Sequence, residues 1–129
     1  MVASIADQSN VLAGKRFLFP EDEPLIAFDP KGVLSDAGAE IVGTCTTVAQ
    51  AIQCLDRAQV DVAVVDYLLA DRNSEPLQAA LKQRDIPFVV VSSYPRALVR
   101  TEEGQDVLRK PVLPKDLRGS VAAACRRAA

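Results

Sequence analysis

Asp61-Val62-Ala63-Val64-Val65-Asp66 and Pro87-Phe88-Val89-Val90-Val91-Ser92 each hold an unbroken apolar run closed by a polar residue. A strand with one face in water alternates apolar and polar residues. These two do not alternate. Continuous apolar runs suit strands covered on both faces, as in parallel sheets packed between helices.

Working outward, the same rhythm repeats. Arg16–Phe19 is a short strand candidate, stopped by Pro20. Pro24 suits the first turn of a helix, with Leu25, Ile26, Phe28, Val33 and Leu34 as its apolar face. Glu40–Cys45 reads as a second strand. Thr46 or Thr47 caps a helix carrying Val48, Ala51, Ile52 and Leu55 at helical spacing. Asn73 or Ser74 caps the next, with Leu77, Ala80 and Leu81 facing inward. Residues 95–104 read as a short, loose helix, given Pro95, Gly104 and the Glu102-Glu103 pair. Asp106–Arg109 is a fifth strand, and Pro114 opens a last helix with Leu117, Val121, Ala124 and Cys125 on one stripe. Five βα units predict a parallel sheet with helices on both faces and right-handed crossovers. Residues 1–14, closed by Gly14, read as an N-terminal tail, either flexible or docked as a short arm, and 15–129 as one domain.

Composition narrows the function. The sequence has 129 residues, 15 basic and 17 acidic, for a net charge of −2. That balance argues against nucleic acid as a partner held by a broad basic surface. No run of ~18 apolar residues marks a membrane span. Met1–Asp7 lacks the basic head and apolar body of a secretion signal, so a cytoplasmic location is expected. Histidine is absent, which excludes Ser-His-Asp and Cys-His catalysis, histidine-ligated zinc and a phosphohistidine on this chain. Cys45, Cys54 and Cys125 are widely spaced and odd in number, and read as small packed side chains rather than disulfides or metal ligands.

In doubly wound sheets, ligands bind beyond the carboxyl ends of the strands. Strand one is followed there by Glu21-Asp22-Glu23, strand three ends in Asp66, strand four in Ser92-Ser93, and strand five runs into Lys110-Pro111. Clustered carboxylates favour a hard divalent cation such as Mg²⁺. An aspartate beside it can take a phosphoryl group as a covalent intermediate, while an ammonium and a hydroxyl bind the phosphoryl oxygens. The nucleophile is already ionised at neutral pH, so no histidine base is required.

Together, residues 17–24, Val64-Val65-Asp66, Val89-Val90-Val91-Ser92 and Arg109-Lys110-Pro111 resemble the receiver domain of two-component response regulators, over roughly residues 15–128. The resemblance implies a flavodoxin-like (βα)5 fold, doubly wound, with five parallel strands in the order 2-1-3-4-5. It implies Asp66 as phosphoacceptor, with Mg²⁺ held by Asp22, Glu21, Asp66 and the Leu68 backbone carbonyl. Ser92 would be the switch hydroxyl and Lys110 the lysine that pairs with the phosphoryl group, with a cis Lys110-Pro111 bond. The implied partners are a histidine kinase or histidine phosphotransfer protein and an unknown downstream protein, with a homodimer through the fourth and fifth units as one arrangement. A stand-alone receiver of this length leaves no room for an output domain, so output is expected by protein contact.

Departures from the family pattern point to a second reading, a degenerate receiver that serves as a phosphorylation-independent interaction module. Val107 stands where the family carries its aromatic switch residue, three before the lysine, and Tyr94 is a candidate substitute. Pro20 interrupts the first strand, and Pro30 lies inside the first helix pattern, where a kink, a break or a late start is expected. Leu68 and Tyr94 are bulky positions that tune phosphoryl hydrolysis in the family. An aspartate-nucleophile phosphatase fits poorly, because its second acid would fall at Leu68. Each residue also has a plain structural role to weigh. Glu21 to Glu23 suit a helix N-terminus, Ser92 and Ser93 a turn, Lys110 a solvated surface, and Arg126-Arg127 a helix C-terminus.

Overall fold

The computed structural model describes residues 11–21, 30–101 and 105–128. Five parallel strands, β1 (Arg16–Pro20), β2 (Glu40–Cys45), β3 (Val62–Asp66), β4 (Phe88–Ser92) and β5 (Val107–Arg109), form one sheet in the order β2-β1-β3-β4-β5. The helices are α1 (Pro30–Asp36), α2 (Val48–Arg57), α3 (Glu75–Gln83) and α4 (Pro114–Ala128). This is the doubly wound arrangement expected from the strand pattern.

Strand periodicity sorts the core into two layers, because alternate side chains leave a strand on opposite faces. Phe17, Phe19, Val62, Val64, Val89 and Val91 pack with Leu34 of α1 and Leu117 and Val121 of α4. Leu18, Ala63, Val65, Phe88 and Val90 pack with Ala51 and Leu55 of α2 and Leu77 and Leu81 of α3. Burying a Val, Leu or Phe side chain fully contributes about 1.5–3 kcal/mol. Both faces of β3 and β4 are therefore stabilised by helices, which explains why their sequences do not alternate.

Pro20 belongs to β1 rather than ending it, and it pairs with Cys45. The Glu21 N–H donates to the Cys45 carbonyl at 2.9 Å, on the β2 side. Successive residues of a strand address opposite neighbours, so the donor that Pro20 lacks would face β3. The β1–β3 pairing covers only Phe17 and Leu18, ending before the position where that donor would be needed. The strand thus carries Glu21 to the sheet's carboxyl edge despite the proline.

One expectation is narrowed and one needs correction. Of the two forms open to the N-terminal segment, residues 11–14 take the docked arm: Leu12 is fully buried in the layer under α1 and α4. Gly14 at φ 74° donates its N–H to the Gly38 carbonyl at 2.9 Å, and Gly38 at φ 93° lets Ala13 approach to 3.2 Å of where a Cβ would sit. Glycine adopts such positive φ without steric cost. Residues 1–10 lie outside the described residues. The fourth unit also differs, since the described part of its crossover holds a 3₁₀ turn at Arg96–Leu98 instead of an α-helix. Pro95 precedes that turn, and residues 102–104 lie outside the described residues.

The remaining elements follow their sequence signals. The Thr47 hydroxyl caps α2 by accepting the Gln50 N–H at 3.0 Å. At α3 the Asn73 side chain accepts the Glu75 N–H at 3.1 Å, while Ser74 occupies the cap position. Pro30 is the first described residue of α1, and the helix expected to run from Pro24 falls partly outside the described residues. Arg127 at the end of α4 also pairs with Asp106 at 3.2 Å. The three cysteines are free thiols, and burial, with Cys54 beside it, pushes Cys45 up to about 11. Among the described residues no helix is long and apolar enough to cross a membrane.

The docking of residues 11–14 has a measurable cost of removal. Leu12→Ala is expected to lower stability by about 2–5 kcal/mol, the range for emptying a buried leucine site, read from denaturant unfolding. A change near zero would return this segment to a loose tail.

Candidate functional site

The carboxyl ends of β1, β3, β4 and β5 present Glu21, Asp66, Ser92 and Lys110. Asp66 is the last residue of β3 and lies opposite Val91 of β4. It is 6% exposed. Its Oδ2 accepts a hydrogen bond from the Lys110 ammonium at 2.9 Å. The side chains of both partners are largely shielded from water, at 8% and 13% exposure. A charge in such a setting requires a partner, because desolvation disfavours it strongly.

Lys110 reaches Asp66 from β5 across the intervening strand β4. Its backbone N–H donates to the Ser92 carbonyl at 2.8 Å, and its bond to Pro111 is cis. Ser92 ends β4 and is buried; its Oγ accepts the Tyr94 N–H at 2.9 Å. In that bond the hydroxyl oxygen is the acceptor, so the Ser92 O–H remains a donor. One carboxylate oxygen of Glu21, Oε2, is buried. Asp22 lies outside the described residues. Among the described residues no three His, Cys, Asp or Glu side chains gather in a metal-binding group.

The loop after β3 is built to a fixed shape. Leu68 and Asn73 form an isolated antiparallel bridge. Its hydrogen bonds run from the Leu69 N–H to the Arg72 carbonyl, 3.0 Å, and from the Ser74 N–H to the Tyr67 carbonyl, 2.7 Å. Both bonds flank the bridged pair, so the Leu68 carbonyl is not consumed by Asn73. The Leu68 carbonyl, the Asp66 carboxylate and the Glu21 carboxylate are all oxygen donors, the type that suits Mg²⁺ rather than a soft metal.

Asp71 anchors the same loop, and sequence reasoning did not single it out. Its carboxylate accepts the Val48 N–H at 2.8 Å and the Ala49 N–H at 3.3 Å, at the start of α2. The Val48 N–H holds this carboxyl below the usual range; burial opposes the shift and the Ala49 N–H adds to it. No local pattern links residues 48 and 71, so only the folded chain reveals the contact. Tyr67 was missed as well. It follows Asp66, is buried, and its hydroxyl accepts the Arg100 N–H at 3.2 Å. Val107, at the position of the absent aromatic, is half-buried against the core layer that holds Tyr67. Leu68 and Tyr94, each two residues beyond a strand-end residue of the site, are 38% and 44% exposed.

Known proteins share this architecture. The receiver domain of the PhyR response regulator from Erythrobacter litoralis superposes with a TM-score of 0.74 at 25% identity, covering 88% of this chain and 91% of that one. SdrG from Sphingomonas melonis Fr1 gives a TM-score of 0.70 at 30% identity, covering 89% of this chain and 98% of SdrG. In sequence, the phyllosphere-induced regulator PhyR of Methylorubrum extorquens is 25% identical over 112 residues, 83% of this chain. The chain spans 42% of the length of that regulator. No family model matches the chain. With the strand order and these relatives, the chain belongs to the receiver domains of response regulators.

Because the folded Asp71 carboxyl titrates below the unfolded value of about 3.9, its contribution is present above that pH. It declines as pH falls through the folded value. Asp71→Ala is therefore expected to unfold at lower denaturant than the wild type at pH 7, with the gap narrowing on acidification below the carboxylate range. A gap that widens with acid would contradict the assignment.

Proposed function

We propose that Asp66 accepts a phosphoryl group from a phosphohistidine on a partner histidine kinase or phosphotransfer protein, and that the chain signals by protein contact. The observation that supports this most is the shielded Asp66–Lys110 pair at the carboxyl edge of the sheet, 2.9 Å apart.

The ionised Asp66 oxygen forms a bond to phosphorus as the phosphorus–nitrogen bond of the donor breaks. The donor imidazole, protonated on its other nitrogen, leaves neutral. Lys110 exchanges its carboxylate contact for a phosphoryl oxygen and offsets the incoming charge of ≈ −1.5 to −2. The Ser92 hydroxyl, its oxygen already engaged by Tyr94, donates its proton toward a second phosphoryl oxygen. Asp66, Glu21, the Leu68 carbonyl and Asp22 are the residues that would hold Mg²⁺. When bound, the ion neutralises charge on the phosphoryl oxygens. The exposed Leu68 and Tyr94 side chains flank the acceptor and restrict the approach of hydrolytic water. We place the protein in the cytoplasm, where such donors act.

Val107 favours a second reading, an interaction module that binds its partner whatever the state of Asp66. A half-buried valine has no aromatic ring to exchange between two positions, so the usual coupled switch is absent at that residue.

Intact mass after incubation with acetyl phosphate or phosphoramidate and Mg²⁺ separates the two readings. The wild type is expected to gain one phosphoryl group, and Asp66→Asn none. Equal labelling of both proteins would move the acceptor elsewhere. No labelling from either donor, with no Mg²⁺-dependent thermal shift, would favour the module.

A further inference from the structure

Tyr67 has no part in the phosphoryl chemistry above, yet it is placed to report on it. Its backbone is pinned on both sides. The N–H donates to the Val91 carbonyl of β4 at 2.8 Å, and the carbonyl accepts the Ser74 N–H at 2.7 Å. Its ring is buried in the layer that includes Val65, Leu77, Val90 and Val99. A ring with two side-chain torsions in a close-packed core cannot shift independently of its backbone.

The hydroxyl end closes a circuit. Tyr67 Oη accepts the Arg100 N–H at 3.2 Å. The next residue, Thr101, donates from Oγ1 to Gln78 Oε1 at 2.9 Å. Gln78 is buried in α3, and its Nε2 donates to Ser74 Oγ at 3.2 Å. Ser74 returns to the Tyr67 carbonyl. Every link of this ring of contacts is made, and a fully satisfied polar network fixes geometry strongly. The segment from residue 93 to 101 is thus held at its start by Ser92 Oγ, through Tyr94, and at its end by Tyr67 and Gln78. Between these holds it contains only the 3₁₀ turn and the buried Val99 side chain.

We propose that Tyr67 is the positioning residue that carries the phosphorylation state of Asp66 to the 96–101 segment, through its hydroxyl bond to Arg100. This rests on the reading of Asp66 as phosphoacceptor. A phosphoryl group on Asp66 draws Lys110 and, through its proton, the Ser92 hydroxyl toward itself. That pulls on the near end of the segment, which Ser92 holds through Tyr94, and displaces the backbone next to Asp66. The pinned ring converts that displacement into a change at the Arg100 amide. Tyr67 thereby supplies, from just beyond β3, an aromatic link that Val107 does not provide from β5.

The test is amide hydrogen exchange at Arg100 and Thr101, followed by NMR in the wild type and Tyr67→Phe. Each is measured with and without acetyl phosphate and Mg²⁺, with intact mass taken on the same samples. Phenylalanine keeps the buried ring and removes only the acceptor oxygen. In the wild type the Arg100 amide is expected to be protected, and its exchange to change about tenfold on phosphorylation, within the usual range of intersite coupling. In Tyr67→Phe the phosphoryl uptake is expected to be unchanged, the Arg100 amide to exchange fast in both states, and the phosphorylation response to fall to about twofold or less. A phosphorylated Tyr67→Phe with the wild-type response would overturn the proposal alone. A wild type that gains no phosphoryl group from acetyl phosphate or phosphoramidate, and shows no Mg²⁺-dependent thermal shift, would overturn the reading on which it rests, and the proposal with it.

Discussion

Lys110 and Asp66 sit on strands that do not touch, yet their side chains meet at 2.9 Å above the strand that separates them. The pair is shielded from water, so each charge is stabilised by the other. Separating a buried pair costs free energy, because neither charge regains the water it gave up. The demands on the surrounding structure follow from that constraint. β3 must end at Asp66, β5 must end where Lys110 can reach back, and β4 must end in a residue small enough to lie beneath the contact. Ser92 meets the last demand and adds a hydroxyl.

The two apolar layers hold those strand ends in register. Val62 to Val65 and Phe88 to Val91 are buried on alternating faces, so neither strand can slip by one residue without exchanging its two layers. The loops are then tied down individually. Asp71 secures the β3–α3 loop to the start of α2, and the Leu68–Asn73 bridge closes that loop. The Lys110 backbone bond to Ser92 joins the ends of β5 and β4. A rigid scaffold with its polar groups at one edge is the general condition for preorganised charge stabilisation.

Much of this was readable from local patterns. The unbroken runs at 62–65 and 88–91 signal strands buried on both faces, and the acid, hydroxyl and lysine at the strand ends follow from that placement. β2, α2 and α4 follow from spacing and capping residues. What was not readable depends on contacts distant in sequence. Leu12 joins the core through a glycine pair at positions 14 and 38, which no periodicity in a dozen residues encodes. Asp71 looks like any loop acid until α2 is brought beside it. Tyr67 reads as one more residue after a strand, and its reach to Arg100 depends on how the fourth crossover folds. That crossover was expected to be helical. Its described part makes only a 3₁₀ turn after Pro95, with Val99 supplying the one buried anchor of that turn and its flank.

Borohydride reduction tests the central claim most directly, because it converts an aspartyl phosphate to homoserine and leaves a mark at the residue that carried it. The protein would be treated with a phosphoryl donor and Mg²⁺, reduced, digested and mapped by mass spectrometry. The account expects homoserine at position 66 and nowhere else. Homoserine at another aspartate, 2-amino-5-hydroxypentanoate at a glutamate such as Glu21, or a labelled protein with an intact Asp66, would contradict it.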